Sequence, residues 1–319
     1  MAVKDSGNSG SSLREFVDKM REYKLIKYLD EYLKGVCGSS EIEQLAALGD
    51  SSDNIVVFLG IATRMYLCMR VLQTVADDVG IGRGDDIRRL RRLAEEFKNN
   101  VLFLLAGRSH AEKLSWVKDV VEHIQLSVKE ALKSLGFTTL EVIAKTSSRL
   151  IVGRPSPPIG YLYETGTMFH PLLGIPYIPA TSLKGAFRSY ATLKGLSCEG
   201  LTIDELMGST KRCGGIVFTD AYPVIGRGLL IEPEVTTKIY RAGDRETHME
   251  HRAVSTPVTY PVVARNTVFR ILIGLNTSAV PEECRKVFSQ WMEEVLREGI
   301  GAKTMVGYGI LVIEEAKQV

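Results

Sequence analysis

Two stretches of this 319-residue chain combine donor groups with a lack of acidic residues, the composition expected of a local anion-binding site. The first, residues 299–310, reads GIGAKTMVGYGI and offers four glycines beside a single cation, Lys303. The second, residues 169–194, reads FHPLLGIPYIPATSLKGAFRSYATLK and contains no Asp or Glu. Its basic residues are His170, Lys184, Arg188 and Lys194. Both stretches have the groups needed to bind phosphates.

The run 299–310 does not have the form of a nucleotide-binding loop. A P-loop reads GxxxxGK[ST] and leads from a strand into a helix, so that the helix N-terminus faces the phosphates. Here Ala302 precedes Lys303, a helix is expected before the run and a strand after it, and the dinucleotide pattern GxGxxG is absent. Two roles stay open: a concavity of backbone N–H groups around a phosphate, or a tight connection that needs small residues.

A helix is predicted within residues 180–193, because apolar residues recur there at helical spacing and Thr181 or Ser182 can cap its start. Lys184 and Arg188 are four residues apart and therefore share a helix face. The apolar residues of this helix are expected in the core: Leu183, Phe187 and Tyr190. If the loops before this helix and before the last strand converge at one end of a sheet, the two basic stretches form one phosphate-binding cleft.

The elements that must position these residues fall into two regions, and the fold class is predicted as α+β. Residues 1–137 show helical periodicity, as in Leu13, Phe16, Val17 and Met20, and are predicted to be an all-helical domain after about ten disordered residues. Residues 138–319 read strand, helix, strands, helix, strand. That order matches the split βαβ, ferredoxin-like arrangement, which is also the architecture of RNA-recognition folds.

Composition narrows the function classes without naming a partner. The net charge is only +2, so any polyanion site must be a local patch. The five cysteines are scattered without a CxxC pair, which favours a reduced, intracellular protein with no structural zinc. No cofactor is expected. The start, MAVKDSGNSGSS, is unlike a signal peptide, and the most apolar run, 55–76, is too charged to span a membrane. We therefore expect a cytoplasmic protein.

Three motifs, in order, resemble those of the RAMP superfamily, the RNA-binding subunits of CRISPR effector complexes. IPYIPATSLKGAFR resembles its IPG-S-S-[LI]-[KR]-G-x-x-R motif, GGIVFTDAYP its G-x-[VI]-x-F-x-DA strand, and GIGAKTMVGYG its C-terminal glycine-rich loop. The match covers roughly residues 145–315. Two departures are Ala180, where glycine is usual, and the pair Met305 and Val306, where small or basic residues are common. Within the superfamily the chain is most similar to the sixth subunits of the type III-B, or Cmr, complex.

This resemblance implies a non-catalytic subunit of an RNA-guided antiviral defence complex, at the end of its backbone near the 3′ end of the guide RNA. Target RNA cleavage is then expected from another subunit. The implied partners are the CRISPR guide RNA, the target RNA and other RAMP subunits, with no membrane. The implied RNA-binding residues are His170, Ser182, Lys184, Arg188, Gly301, Lys303, Thr304, Gly307, Tyr308 and Gly309. Tyr308 either stacks on a base or packs in the fold.

Two alternatives remain at this stage. Metal-independent ribonucleases of the same superfamily use a histidine as general acid or base, so His170 with Tyr177 and Lys184 would suit a guide-processing endoribonuclease. The chain would also suit an end subunit of a Csm-type complex.

Three further segments have plainer interpretations. Asp220 lacks a second carboxylate close by and is interpreted as structural, capping a turn. The polar segment 238–252 suits a mobile loop or a β-hairpin that reaches RNA or a neighbour. RRLRR, residues 88–92, is expected to lie on a solvated helix face, where Glu95 and Glu96 balance the charge of its arginines.

Overall fold

The computed structural model describes residues 12–23, 26–33, 37–52, 55–79, 84–109, 114–155, 159–163, 165–227, 229–240 and 254–319. The expected disordered start and residues 241–252 of the polar segment lie outside these ranges. None of the helices in the described ranges is both long and apolar enough to span a membrane. The chain forms two compact units, and each draws on several separate parts of the sequence.

The first unit comprises Met1–Arg108, Ser156–Glu164 and Pro233–Tyr260. Its helices in the described ranges are α1 (Leu13–Glu22), α2 (Ile26–Tyr32), α3 (Ser39–Ser51), α4 (Ile55–Val79), α5 (Gly84–Arg108) and the short α7 (Ile159–Leu162). The side chains expected on the inner face of α1 are buried there: Leu13, Phe16, Val17 and Met20. Phe16 meets Phe97 of α5 edge to face, with ring centroids 4.8 Å apart. Helical periodicity therefore identified the core face of α1 correctly.

The second unit is built on an antiparallel sheet and comprises Ser109–Pro155, Thr165–Glu232 and Pro261–Val319. Its main strands are β1 (Phe137–Thr146), β6 (Ile216–Phe218), β7 (Tyr222–Pro223), β10 (Val268–Asn276) and β11 (Leu311–Gln318). The order across the sheet is β11-β1-β10-β6, with β7 also paired to β10. With α8 (Ala180–Lys194) after β1 and α10 (Glu282–Glu298) after β10, this is the ferredoxin-like order. The predicted α+β fold class is confirmed.

Helices α8 and α10 cover one face of this sheet. Alternate residues of β1, Leu140, Val142 and Ala144, are fully buried against them, as the period of two in a strand requires. The helices contribute an aromatic cluster in which Phe187 of α8 lies 4.7 Å from Phe288 of α10, centroid to centroid. This core fixes α8 firmly on the sheet.

The opposite face of the sheet is covered by α6 (Ser115–Ser134). The Glu141 carboxylate on this face is 5% exposed and lies 2.5 Å from Lys129 Nζ of α6 and 3.1 Å from Arg270 Nε of β10. Gln125 of α6 donates to the Arg270 carbonyl and accepts from its guanidinium. Because α6 belongs to the second unit, the two units alternate along the chain, whereas the predicted domains meet at residue 137. That domain boundary stays a prediction.

Short elements join α8 to β6. They are the hairpin of β2 (Ser197–Cys198) and β3 (Leu201–Thr202), the helix α9 (Ile203–Met207), and the hairpin of β4 (Gly208–Ser209) and β5 (Arg212–Cys213). Sequence patterns did not predict these elements, because two-residue strands carry no measurable periodicity. Strands β8 (Ile231–Tyr240) and β9 (Val254–Val263) pair with each other on either side of the undescribed residues 241–253.

The prediction of reduced cysteines was wrong. Disulfide bonds join Cys37 to Cys68 in the first unit and Cys198 to Cys284 in the second, and Cys213 alone is free among the five. The pairs are 31 and 86 residues apart in sequence, yet their Cα atoms lie 5.9 and 5.7 Å apart. Spacing along the chain cannot show such proximity, because tertiary packing creates it.

Candidate functional site

Helix α8 begins in a way that the sequence did not predict. Its N-cap is Pro179, whose side chain cannot accept a hydrogen bond, so the expected cap at Thr181 or Ser182 was wrong. The Ala180 N–H donates instead to Asp220 Oδ1, 2.7 Å away. A carboxylate is favourable at this position because helix N-termini carry unpaired N–H groups and a partial positive charge. Asp220 is thus structural, as expected, but it caps a helix rather than a turn.

The inner face of α8 anchors the helix and its outer face is open. Leu183 and Phe187 are fully buried, as predicted. Tyr190 packs against the same core and its hydroxyl donates to Glu294 of α10 at 2.9 Å. Lys184 and Gly185 are exposed. The outer face separates two grooves on the surface of the second unit.

The first groove, of about 710 Å³, lies between α8 and the 299–310 stretch; we call it the glycine-loop groove. Its lining includes Ser182, Ser189, Gly301 and Thr304, so it joins two of the sequence-predicted regions. Two strongly exposed apolar side chains also line it: Leu193 and Met305.

The second groove, of about 960 Å³, lies on the other side of α8, against the hairpin of β4 and β5; we call it the hairpin groove. Lys184 and Arg188 line this groove. Thr181 and Gly185 line both grooves, because they lie on the exposed side of the helix between the two grooves. The arrangement therefore places Ser182 and Thr304 in one groove, and the two predicted cations of α8 in the other.

Arg188 is engaged within the protein. Its Nη2 donates to the carbonyl of Gly208, and its Nη1 lies 3.6 Å from the Asp204 carboxylate. The guanidinium thus ties α8 to the adjoining α9 and β4. The expected phosphate contact from Arg188 would have to compete with these bonds.

Hydrogen bonds within the fold hold the 299–310 stretch. Ala302 N–H donates to the Ile151 carbonyl at 2.8 Å and Gly309 N–H to the Arg149 carbonyl at 2.8 Å. Further N–H groups of the stretch donate to acceptors in the protein: those of residues 299, 300, 306, 307, 308 and 310. The N–H groups of Ala302, Gly309 and Ile310 hold the stretch against residues 148–151, and the other five donate within the stretch or to the end of α10.

Two glycines of this stretch are required by close backbone approach. A Cβ at Gly301 would lie 2.2 Å from the Ile151 oxygen, and one at Gly309 would lie 2.0 Å from the Ile300 oxygen. Both residues also have positive φ, 86° and 76°, which favours glycine. The geometry explains these glycines by packing. Any contact of this stretch with a ligand must therefore be made by its side chains, above all that of Lys303. The Lys303 Nζ lies 5.6 Å from the Tyr308 ring centroid.

Comparison with known proteins identifies the family. Residues 143–312, which contain the end of β1, all of α8 and the glycine stretch, match the model of the RAMP superfamily. The chain belongs to the RAMP superfamily. It is 30% identical over 184 residues to the CRISPR system CMR subunit Cmr6 of Saccharolobus solfataricus, an alignment that covers 58% of this chain and 61% of the relative. The resemblance inferred from the three motifs is confirmed.

One solved structure shows the same fold for almost the whole chain. A chain in the cryo-EM structure of the type III-B Cmr-beta bound to cognate target RNA superposes with a TM-score of 0.67 at 22% identity, covering 94% of this chain and 99% of that one. Cmr6 from Pyrococcus furiosus superposes with a TM-score of 0.37 at 18% identity, covering 56% and 99%. At this level of identity the first match establishes the shared fold.

In this RAMP protein, His170 lies in an aromatic cluster with Tyr177 and Tyr222. The ring centroids are 5.8 and 5.9 Å from the imidazole. Nδ1 of His170 accepts N–H bonds from Leu172 and Leu173 at 3.3 and 3.2 Å, which places the proton of the neutral ring on Nε2. Burial lowers the pKa of His170, and the nearby Asp220 carboxylate opposes this only in part. The ring is therefore neutral at pH 7.

This environment gives no specific support to a ribonuclease. A neutral His170 whose Nδ1 is bonded to its own turn has one nitrogen left for chemistry, and burial raises the pKa values of both Tyr177 and Tyr222. Among the described residues, no group of three or more His, Cys, Asp or Glu side chains is placed to hold a metal ion.

The sheet of the RAMP domain does not offer the surface that RNA-recognition folds use. Those folds stack bases on aromatic side chains of the central strands. Here the corresponding face of β1 and β10 lies under α6, and its central positions are Glu141, Arg270 and Gly274. Exposed groups at α8 and its flanking grooves are therefore the candidate RNA-contacting surface of the second unit.

Two cations of the hairpin groove were not identified from the sequence, and the partners of Arg88 and Arg89 were not foreseen. Lys211 and Arg212 line the groove and were not singled out; the acid-free turn GSTKRCGG was the available signal. In RRLRR, Arg88 and Arg89 pair with Asp85 and Asp86 of the preceding turn, at 2.5 and 3.8 Å. The expected partners were Glu95 and Glu96, which lie on the following turns.

Proposed function

We propose that this chain is a non-catalytic, RNA-binding structural subunit of a type III-B CRISPR interference complex, acting in the cytoplasm in antiviral defence. Its partners are the guide RNA, the target RNA and neighbouring RAMP subunits. The observation that carries the proposal is the 30% identity to the CMR subunit Cmr6, because the relative's name specifies a subunit of that complex. The shared fold with a chain of the target-bound type III-B structure supports it.

We place the subunit at the end of the complex backbone near the 3′ end of the guide RNA. Within it, the outer face of α8 and the 299–310 stretch contact RNA through side chains: Ser182, Lys184, Lys303 and Thr304. Gly301, Gly307 and Gly309 shape the stretch, Tyr308 lies beside Lys303, and His170 and Arg188 support the loops around α8. Contacts to phosphates would supply most of the affinity and make it dependent on salt.

Isolation of the tagged chain from its native cell tests the assembly. We expect other RAMP subunits and a guide RNA to co-purify, and limited nuclease digestion to leave the guide's 3′ part protected when this chain is present. Co-purification with a Csm-type set of subunits would contradict the type III-B assignment. Protection of the 5′ end alone would contradict the proposed position.

Purified protein incubated with repeat RNA in EDTA tests the absence of catalysis. We expect no discrete products, because Nδ1 of His170 is bonded to its own turn and burial raises the pKa values of the neighbouring Tyr177 and Tyr222. Discrete cuts that disappear in His170→Ala would show an endoribonuclease.

Lys303→Ala tests the glycine-stretch contact. It should weaken binding to single-stranded RNA and reduce the slope of log K against log salt by about 0.7, the value for one phosphate contact on a single strand. Lys133→Ala, an exposed lysine of α6, is the matched control. Equal affinities and slopes for both variants would remove Lys303 from the interface.

A further inference from the structure

The two grooves beside α8 differ sharply in charge. The glycine-loop groove is lined by one cation and one carboxylate, Lys194 and Glu298. The hairpin groove is lined by four cations and, among its lining residues, no acid: Lys184, Arg188, Lys211 and Arg212. A concave surface with one sign of charge concentrates counter-ions. The hairpin groove is therefore the stronger anion-binding surface of the two.

Two of these four cations are already engaged with nearby carboxylates. Asp204 lies 3.6 Å from Arg188, and Glu205 lies 3.9 Å from Arg212. Glu205 is also committed to the start of α9, where its carboxylate accepts from the N–H and hydroxyl of Thr202 at 2.8 and 2.9 Å. The ion pair between Glu205 and Arg212 is therefore weak. Arg212 can turn to an added anion at little cost, because exposed ion pairs contribute little free energy.

The other two cations, Lys184 and Lys211, are exposed and have no ion-pair partner among the residues that the structure describes. They face the same groove from opposite walls, one on α8 and the other at the tip of the hairpin. The hydroxyls of Ser209 and Thr210 lie beside Lys211 as further donors. The two walls of the groove therefore carry cations and hydroxyl groups of the kind that bind phosphates.

The hairpin holds its cations in place. A Cβ at Gly214 would lie 2.1 Å from the Met207 carbonyl carbon, so the two ends of the hairpin pack closely. The Gly215 N–H donates to the Leu206 carbonyl at 2.8 Å, and the Arg188 guanidinium donates to the Gly208 carbonyl. Arg188 is thus a positioning residue that fixes the width of the groove, while Lys184, Lys211 and Arg212 face the solvent.

We propose that the hairpin groove binds the sugar-phosphate backbone of a second stretch of single-stranded RNA, separate from the RNA at the glycine-loop groove. Lys184, Lys211 and Arg212 contact its phosphates. No aromatic side chain is among the lining residues, so the groove holds the backbone without stacking bases and without sequence preference. This inference rests on the proposed RNA-binding function and assigns Lys184 to a different RNA path from Ser182 and Thr304, which line the glycine-loop groove.

Cys213 provides a probe within the native protein. It lines the groove, is exposed, and is the free thiol beside two disulfide-bonded pairs. We expect saturating single-stranded RNA to slow the alkylation of Cys213 by a neutral maleimide at least several-fold in the absence of reductant, and high salt to restore the rate. An unchanged alkylation rate at saturating RNA would overturn the inference.

A paired variant measures the contacts themselves. Lys211→Ala with Arg212→Ala should reduce the slope of log K against log salt by about 1.4, since each contact to a single strand contributes about 0.7. The control is Lys118→Ala with Lys133→Ala, two exposed lysines of α6, which should leave the slope unchanged. Both pairs are on the surface, so circular dichroism should show folded protein in each case.

The outcomes separate this inference from the proposed function. If the hairpin pair keeps the wild-type slope while Lys303→Ala reduces it, the hairpin groove is not an RNA path and the proposed function stands. If the hairpin pair binds RNA normally but no longer co-purifies with another subunit, the groove binds an acidic protein segment and the inference is wrong. If the wild-type protein and complex bind no RNA, the proposed function fails and the inference with it.

Discussion

The Asp220 carboxylate, two residues after β6, accepts the backbone N–H of Ala180 at the start of α8, with 2.7 Å between oxygen and nitrogen. Forty positions of sequence separate the two residues. The bond ties the first turn of α8 to the sheet and places a negative charge at the positive end of the helix. It explains why an acidic residue follows a strand beside the basic stretch: the carboxylate supports the helix that carries Lys184.

Replacement of Asp220 tests this cap. Asp220→Ala should lower the free energy of unfolding by about 1–2 kcal/mol, the upper part of the range for a lost N-cap acceptor. Asp220→Asn keeps an oxygen acceptor and should lose less. Urea unfolding followed by circular dichroism measures both. Equal losses for the two variants would show that the charge, and not the hydrogen bond, supports the helix.

The pKa of His170 should lie below its ordinary value of 6.5, because burial disfavours the imidazolium and the Asp220 carboxylate opposes this only in part. Since the pKa is lower in the folded state, the stability contributed by the neutral ring is present above about pH 6.5 and is lost as the pH falls through the folded pKa. The difference in unfolding free energy between wild type and His170→Gln should therefore shrink as the pH falls.

An NMR titration of the His170 ring checks the sign directly. In Asp220→Asn the pKa should fall further, because the carboxylate that favours the imidazolium is gone. A wild-type pKa at or above 6.5 would contradict the burial argument.

Two glycines of the 299–310 stretch form a matched pair for testing its packing. Both have positive φ, 88° at Gly307 and 76° at Gly309, but an added Cβ meets nothing within 4 Å at Gly307 and lies 2.0 Å from the Ile300 oxygen at Gly309. Gly307→Ala should cost only the strain of the left-handed backbone, about 1–2 kcal/mol. Gly309→Ala should cost clearly more in thermal unfolding. Similar losses would mean that the stretch can relax around the methyl group.

The buried Glu141 should contribute more to the free energy of unfolding than either of its two cationic partners. Glu141→Gln leaves Lys129 and Arg270 without their carboxylate and should cost about 2–3 kcal/mol, less than a fully buried pair because the two cations are 25% and 28% exposed. Lys129→Met leaves Arg270 in place and should cost less than half of that. Chemical denaturation of both variants gives the comparison. A larger loss for Lys129→Met would assign the stabilisation to the α6 lysine.

The disulfides predict a defined thiol count. Protein denatured without reductant should take up one alkylating group per chain, at Cys213, and five after reduction. Reduction should also lower the melting temperature, because the bond between Cys198 and Cys284 closes a long loop and such cross-links contribute about 4–5 kcal/mol in the chain-entropy model. Cys213→Ser should melt as the wild type does. Five reactive thiols in the unreduced protein would exclude both bonds.

The sequence allowed the order of elements to be predicted where periodicity is long. Residues 281–299, PEECRKVFSQWMEEVLREG, begin with proline and end with glycine, a pattern typical of helix ends, and in α10 Pro281 is the N-cap and Gly299 the C-cap. The apolar spacing of α8 identified Leu183 and Phe187 as core. The short hairpin that carries Lys211 and Arg212 was missed, because two-residue strands show no periodicity and a turn with charged residues resembles any solvated loop.

By itself, the sequence determined the α+β class, the ferredoxin-like order, the membership in the RAMP superfamily, and the candidate cations of α8 and of the glycine stretch. The tertiary structure decided which groove the cations of α8 face, which cysteines pair and which carboxylate caps α8. Local propensity and spacing act over a few residues, whereas these relationships join groups that are tens of residues apart in the chain. Lys184 and Lys303 each belong to a recognisable motif, but only the packing of α8 between two grooves assigns Lys184 to the hairpin side.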